Sequence, residues 1–279
     1  MRRLLLVLAA CTPPIPSAPP AHAVPPAPEV TPIAWGETFQ LASQILGQRR
    51  TINVYLPPDY AKSSDAFPVL YMPDGGMAED FPHITGLVDV QIRNGVIRPM
   101  IVVGVENIER RHDLTPPSTN ADDLKAAPHA GGADQFRRFL RDELRPRITS
   151  HYRTTAETAL VGESLAGLFV LETALVEPAL FDTYIVVSPS TWWNDEALVK
   201  SAGARFASWP AGPPKRVWIA TGDDERGEDV PHLVDAFYKA PPPGLALVYL
   251  PMPEEHHATI YPPAAARALR TLFPLPPGK

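Results

Sequence analysis

One short run concentrates the residues that can do chemistry: Gly162-Glu163-Ser164-Leu165-Ala166-Gly167, directly after the apolar stretch Thr158-Ala159-Leu160-Val161. A serine with small residues two positions to either side is the pattern of a nucleophile elbow. There a strand turns so sharply into a helix that bulky neighbours do not fit. Ala166 stands where the usual pattern has glycine, and it is still small. The turn would set Ser164 at the start of the following helix, with the Leu165 N–H aimed at a developing oxyanion. The bland alternative is a strand-to-helix turn with an incidental serine; the apolar strand before it and the helix pattern after it favour the nucleophile.

Such a serine needs a base and an acid. In sites of this kind they follow the serine in the order acid, then histidine. Of the eight histidines, His232, His256 and His257 remain candidates. His232 follows Pro231 in a helical pattern and reads as surface. The other two lie in the loop PMPEEHHAT (251–259), just past an apolar run, and His257 is the first choice with His256 the alternative. The acid should follow the intervening strand, VWIAT (217–221), which ends in Gly222-Asp223-Asp224-Glu225. Glu225, three residues past the glycine, has the reach to orient an imidazole and stabilise its cation. Asp224 is the alternative, as is a two-residue dyad. A second oxyanion donor is expected in Asp74-Gly75-Gly76, with Gly76 first and Gly75 second, because a glycine lets its N–H approach the substrate closely.

These groups must be carried by a framework, and the chain supplies one. Residues 51–56 (TINVYL) alternate and read as an early antiparallel strand. Residues 67–72 (FPVLYM), 100–105 (MIVVGV), 158–161, 184–187, 217–220 and 246–250 are near-continuous apolar runs, which suits strands buried on both faces. Residues 133–149 place Phe136, Phe139, Leu140, Leu144 and Ile148 at helical spacing, with Pro146 a complication for the last turn. Helices are also expected over 164–176 and 264–272. Strands alternating with helices predict an α/β fold with a mostly parallel central sheet flanked by helices, with reactive groups at the carboxyl ends of the strands.

Bulk properties narrow the function. The chain has 279 residues, 45% of them hydrophobic, and a net charge of -6. That balance argues against a nucleic-acid partner, which calls for a basic face. The single cysteine, Cys11, rules out an internal disulfide and paired-cysteine metal sites. Residues 1–23 read as an export signal: a basic start at Arg2 and Arg3, a short apolar run, and Ala21-His22-Ala23 as a cleavage site. Leu8-Ala9-Ala10-Cys11 also fits a lipobox, which would place a lipid anchor on Cys11. Residues 24–34 form a proline-rich linker, leaving 35–279 as the folded domain. No other apolar stretch reaches the ~20 residues that span a bilayer.

The segments VLYMPDGG (69–76), ENIERRHDLTP (106–116), ALVGESLAGLFVLETAL (159–175), SPSTWWND (188–195), GDDE and PEEHHATI together resemble one esterase branch of the α/β hydrolases, which includes siderophore esterases, feruloyl esterase domains and esterase D. The likeness runs from about Val54 to Ile260. In that family the last histidine sits in an E-x-H-x-S/T pattern, which Glu255-His256-His257-Ala258-Thr259 matches at His257. The resemblance implies an α/β-hydrolase fold without a large lid, a small-molecule ester substrate, no metal and no organic cofactor. It also implies a pocket lined by Trp192 and Trp193, with Arg110 and Arg111 where siderophore esterases carry substrate-facing basic residues. His112, where a second arginine often stands, weakens an anionic catecholate substrate. Acyl transfer on the same fold and a non-catalytic exported binding module are the rival functions.

Overall fold

A computed structural model describes residues 31, 34–223 and 229–276. The export signal, most of the linker, Cys11, and both candidate acids, Glu225 and Asp224, lie outside the described residues. From Trp35 onward the chain gathers into one compact unit.

Its centre is a sheet with strand order β1-β2-β4-β3-β5-β6-β7-β8. β1 (Glu37–Ser43) and β2 (Gln48–Tyr55) form an antiparallel hairpin, and β2 runs antiparallel to β4 (Ile101–Val105). Everything beyond is parallel: β3 (Phe67–Met72), β5 (Thr154–Glu163), β6 (Thr183–Val187), β7 (Lys215–Thr221) and β8 (Leu245–Pro251). This is the mostly parallel α/β sheet that the alternation of elements predicts, in the α/β-hydrolase form that the resemblance implies.

The apolar runs serve two cores at once. Along β3, Phe67, Val69 and Tyr71 enter one core, and Leu70 and Met72 the other. Side chains alternate across a strand, so covering both faces demands an unbroken apolar sequence. One face is covered by α1 (Phe81–Arg93) and α9 (Tyr261–Leu272). The other carries α4 (Ala133–Phe139), α5 (Arg145–His151), α6 (Leu165–Val176), α7 (Trp193–Ala207) and α8 (Asp229–Lys239). Two short helices, α2 (Arg110–Leu114) and α3 (Ala121–Ala126), sit in the connection after β4. α6 is apolar all round, as a helix enclosed by neighbours must be.

Among the elements that differ from expectation, three have a plain physical reason. Strand β8 is the sheet edge, and Ala246 and Val248 on it are exposed rather than buried. The helix expected over 133–149 is interrupted by a π-helical turn, Leu140–Leu144, in which the Arg145 N–H reaches back to Leu140 O. Pro146 has no N–H to give and its ring crowds the carbonyl four residues earlier, so a wider turn before it lets the helix continue. Helix α1 was absent from the sequence pattern because Ile84, Thr85, Val88, Val90 and Gly86 are weak helix formers. Burial of Phe81, Ile84 and Val88 fixes it instead, each contributing about 1.5–3 kcal/mol.

Candidate active site

β5 ends at Glu163, and Ser164 follows with φ 59° and ψ -121° before α6 begins at Leu165. A serine rarely adopts that backbone, which costs about 1–3 kcal/mol and persists only where the surroundings impose it. They do so from three sides. The Ser164 N–H donates to Val187 O at 3.1 Å, and Ser164 O accepts from Ser190 N–H at 3.1 Å and Leu168 N–H at 2.9 Å. A Cβ on Gly162 would stand 2.6 Å from the carbonyl carbon of Ala166, and one on Gly167 would stand 2.7 Å from Val187 O. Ala166 fits because its methyl occupies the space Gly162 leaves empty.

The loop after β8 brings His257 to the serine: its Nε2 is 3.1 Å from Ser164 Oγ. The loop is stitched to the end of β7 by Met252 N–H to Thr221 O at 2.8 Å and Asp223 N–H to Glu255 O at 3.0 Å. Of the histidines expected past β8, His257 is the one the structure brings within hydrogen-bond distance of Ser164. His256 is instead a turn residue, exposed, whose carbonyl accepts from Thr259 and Ile260 N–H. His232 is exposed on α8. Glu225 and Asp224 are not described, but their flanking residue Asp223 is the one tied to the histidine loop.

Two further contacts to His257 were not read from the sequence. Ser188 Oγ is 2.9 Å from Nδ1, and Glu163 Oε1 is 3.3 Å from Nε2. Ser188 signals itself only as the first residue of the SPSTWWND segment, and Glu163 only as the variable residue of the elbow.

Leu165 opens α6, so its N–H has no acceptor inside the helix and adjoins the nucleophile. The expected second donor is engaged elsewhere. Gly76 N–H donates to Glu79 Oε2 at 2.7 Å, and Gly75 N–H to Val105 O at 2.9 Å. Gly75 extends the sheet pairing, and Gly76 N–H is occupied by the Glu79 carboxylate.

A cavity of about 570 Å³ opens at Ser164 and Leu165, and Arg110, Arg111, Trp192 and Trp193 all line it, together with Asn120, Asp122 and Asp123. The two tryptophans differ. Trp193 is buried and its Nε1–H donates to Pro116 O at 2.9 Å, whereas Trp192 is 41% exposed at the rim. Next to them, Asn194 and Asp195 adopt left-handed backbone (φ 50° and 52°), held by Thr119 N–H to Asn194 Oδ1 at 2.9 Å and Asn120 Nδ2–H to Asp195 Oδ1 at 2.7 Å.

Arg110 donates from Nε and Nη2 to the two oxygens of Asp74, at 2.8 and 2.7 Å. Partial burial works against the guanidinium charge, but the Asp74 hydrogen bonds and the fields of Asp74, Glu163 and Asp80 outweigh it, and Arg110 holds its proton more firmly than usual. Much of its charge is therefore spent inside the protein. Burial, and then the same three carboxylates, push the Tyr261 phenol well above its ordinary range. Arg111 donates Nη1–H to Ala126 O. Among the described residues no group of three or more His, Cys, Asp or Glu is placed to hold a metal ion, and no helix is long and apolar enough to cross a membrane.

This sheet, elbow and imidazole define an esterase of the α/β-hydrolase type, a carboxylic ester hydrolase. A family profile described as "Putative esterase" matches residues 43–239, and the chain belongs to that family. It is similar to the ferri-bacillibactin esterase BesA of Bacillus subtilis, with 29% identity over 248 residues, covering 80% of this chain and 85% of the relative. An IroE-like serine hydrolase from Shewanella oneidensis has a TM-score of 0.78 and 27% identity, over 85% of this chain and 80% of that one. The BES protein from Bacillus cereus shares the fold at a TM-score of 0.76 and 24% identity, over 89% of this chain and 100% of that one.

Proposed function

We propose that the chain hydrolyses a siderophore-type ester through an acyl-enzyme on Ser164. The observation that carries this reading is the 3.1 Å contact between Ser164 Oγ and His257 Nε2. Ser164 Oγ attacks the ester carbonyl while its proton passes to Nε2. The imidazolium returns that proton to the departing alcohol as the C–O bond breaks. Water, deprotonated by the same nitrogen, then attacks the acyl carbon; the C–Oγ bond breaks as the imidazolium returns that proton to Ser164 Oγ, and the acid is released. Leu165 N–H, joined by Gly76 N–H once Glu79 lets go, stabilises the oxyanion. Glu225 is the acid that orients His257. Trp192 and Trp193 give the acyl or alcohol part flat apolar walls, and Arg110 and Arg111 give it a cationic margin.

The substrate class draws support from the ferri-bacillibactin esterase among the relatives. Residues 1–23 would carry the enzyme out of the cytoplasm, with lipidation of Cys11 the other route to the same compartment. A panel of ferric and iron-free tri-ester siderophores, a feruloyl ester and p-nitrophenyl acetate tests the reading. The expected outcome is kcat/KM highest for a siderophore, and Ser164→Ala inactive on every ester. A Ser164→Ala variant that turns over at the wild-type rate sinks the mechanism; a preference for the feruloyl ester sinks the substrate assignment.

A further inference from the structure

We infer that Ser188 is a positioning residue for His257, acting through the imidazole rather than on the substrate. The inference rests on the Ser164–His257 reading above. For Nε2 to accept the Ser164 proton, the neutral imidazole must carry its own hydrogen on Nδ1, and which nitrogen carries it is set by the partner of the other. Ser188 Oγ lies 2.9 Å from Nδ1. A hydroxyl can accept Nδ1–H and still donate its own hydrogen elsewhere. Glu163 Oε1, 3.3 Å from Nε2, only accepts and by itself draws the hydrogen to Nε2, so Ser188, accepting at Nδ1, acts against that pull and holds the reactive tautomer.

The two residues differ in rigidity in the way such a role requires. His257 belongs to a loop, and its side chain is 48% exposed. Ser188 is wholly buried at the end of β6. Its N–H is fixed to Ala220 O at 2.8 Å, which ties it to the neighbouring strand β7. Its backbone has φ 46°, the left-handed region, which is uncommon for a residue other than glycine and is stored where the structure over-determines it. Fold alone would be better served by glycine at this position. The side chain kept there despite the backbone cost is one that reaches Nδ1.

The test uses Ser188→Ala and Ser188→Gly in the full chain, with p-nitrophenyl acetate as substrate. Ser188→Gly accepts the positive φ without strain, so it carries the test if Ser188→Ala folds poorly. Both should lower kcat about tenfold or more, a fraction of what general base catalysis supplies, with KM within about twofold because no substrate contact is removed. The downfield proton resonance of His257 Nδ1–H should broaden or vanish in both. A wild-type kcat with an unchanged Nδ1–H resonance overturns the role, as does a loss confined to KM. Ser164→Ala, assayed alongside, separates the two claims. If it is inactive while the Ser188 variants are unaffected, only the Ser188 role fails; if it is active, the nucleophile assignment itself fails.

Discussion

Ser164 Oγ and His257 Nε2 meet at 3.1 Å although 93 residues separate them in the chain. One arrives from the sharp turn after β5, the other from the loop after β8, at the carboxyl ends of a parallel sheet where α/β proteins gather their reactive groups. The sheet supplies rigidity to both sides. Ser164 is clamped to β6 through Val187 O, and the His257 loop to β7 through Thr221 O.

The tightness of the elbow predicts asymmetric tolerance around the serine. Gly162→Ala would force its methyl to within 2.6–2.8 Å of Ala166 atoms, including backbone. We expect a loss of about 1–3 kcal/mol, the usual cost of overpacking, and a fall in kcat as Ser164 is displaced. Ala166→Gly, which restores the commoner elbow residue, should cost only about 1 kcal/mol of helix propensity and keep activity. Thermal melting and esterase assays of the pair check this; equal effects at the two positions would contradict it.

The Arg110–Asp74 pair predicts a charge preference that can be unmasked. With both carboxylate oxygens on the guanidinium, Arg110 offers little net charge to a ligand. Asp74→Asn removes the compensating charge. KM for an ester bearing a carboxylate should then fall by about two- to fivefold, the range of a partly exposed ion pair, while KM for a neutral ester of the same size stays level. Steady-state kinetics on the two esters decides it.

At the opposite end of β5, stability should depend on pH through Glu157. Hydrogen bonds from Arg98 at 2.6 and 2.8 Å hold its carboxyl below the ordinary glutamate range; partial burial opposes them, and Arg216 at 3.0 Å adds to the lowering. A carboxylate that is more acidic folded than unfolded contributes its full stability above the unfolded pKa and loses it as pH falls through the folded one. The melting-temperature advantage of wild type over Glu157→Gln should thus be constant near neutrality and shrink below about pH 4.3. A gap independent of pH down to pH 3 would assign Glu157 a purely steric role.

What could be read from the residues alone follows from which signals are local. Strands such as β3 announce themselves because burial on two faces leaves no polar positions, and the elbow because steric limits act within five residues. Chain order narrowed the base to His232, His256 and His257, and the loop after β8 made His257 the first choice with His256 the alternative. The features that escaped are tertiary. β1 has mostly exposed or half-buried residues and exists by pairing with β2. The positive φ of Ser188, the capture of Gly76 N–H by Glu79 and the neutralisation of Arg110 by Asp74 each join segments far apart in sequence. Glu225 remains an expectation from its position after β7.

The central claim is that Ser164 is the nucleophile, and the most direct measurement is covalent capture. The intact protein is incubated with a fluorophosphonate, weighed, digested and sequenced by mass spectrometry. A single adduct per chain on the peptide containing Ser164, absent from Ser164→Ala and strongly slowed in His257→Ala, is the predicted result. No adduct on the folded wild-type chain, or an adduct that maps elsewhere and persists in Ser164→Ala, would contradict it.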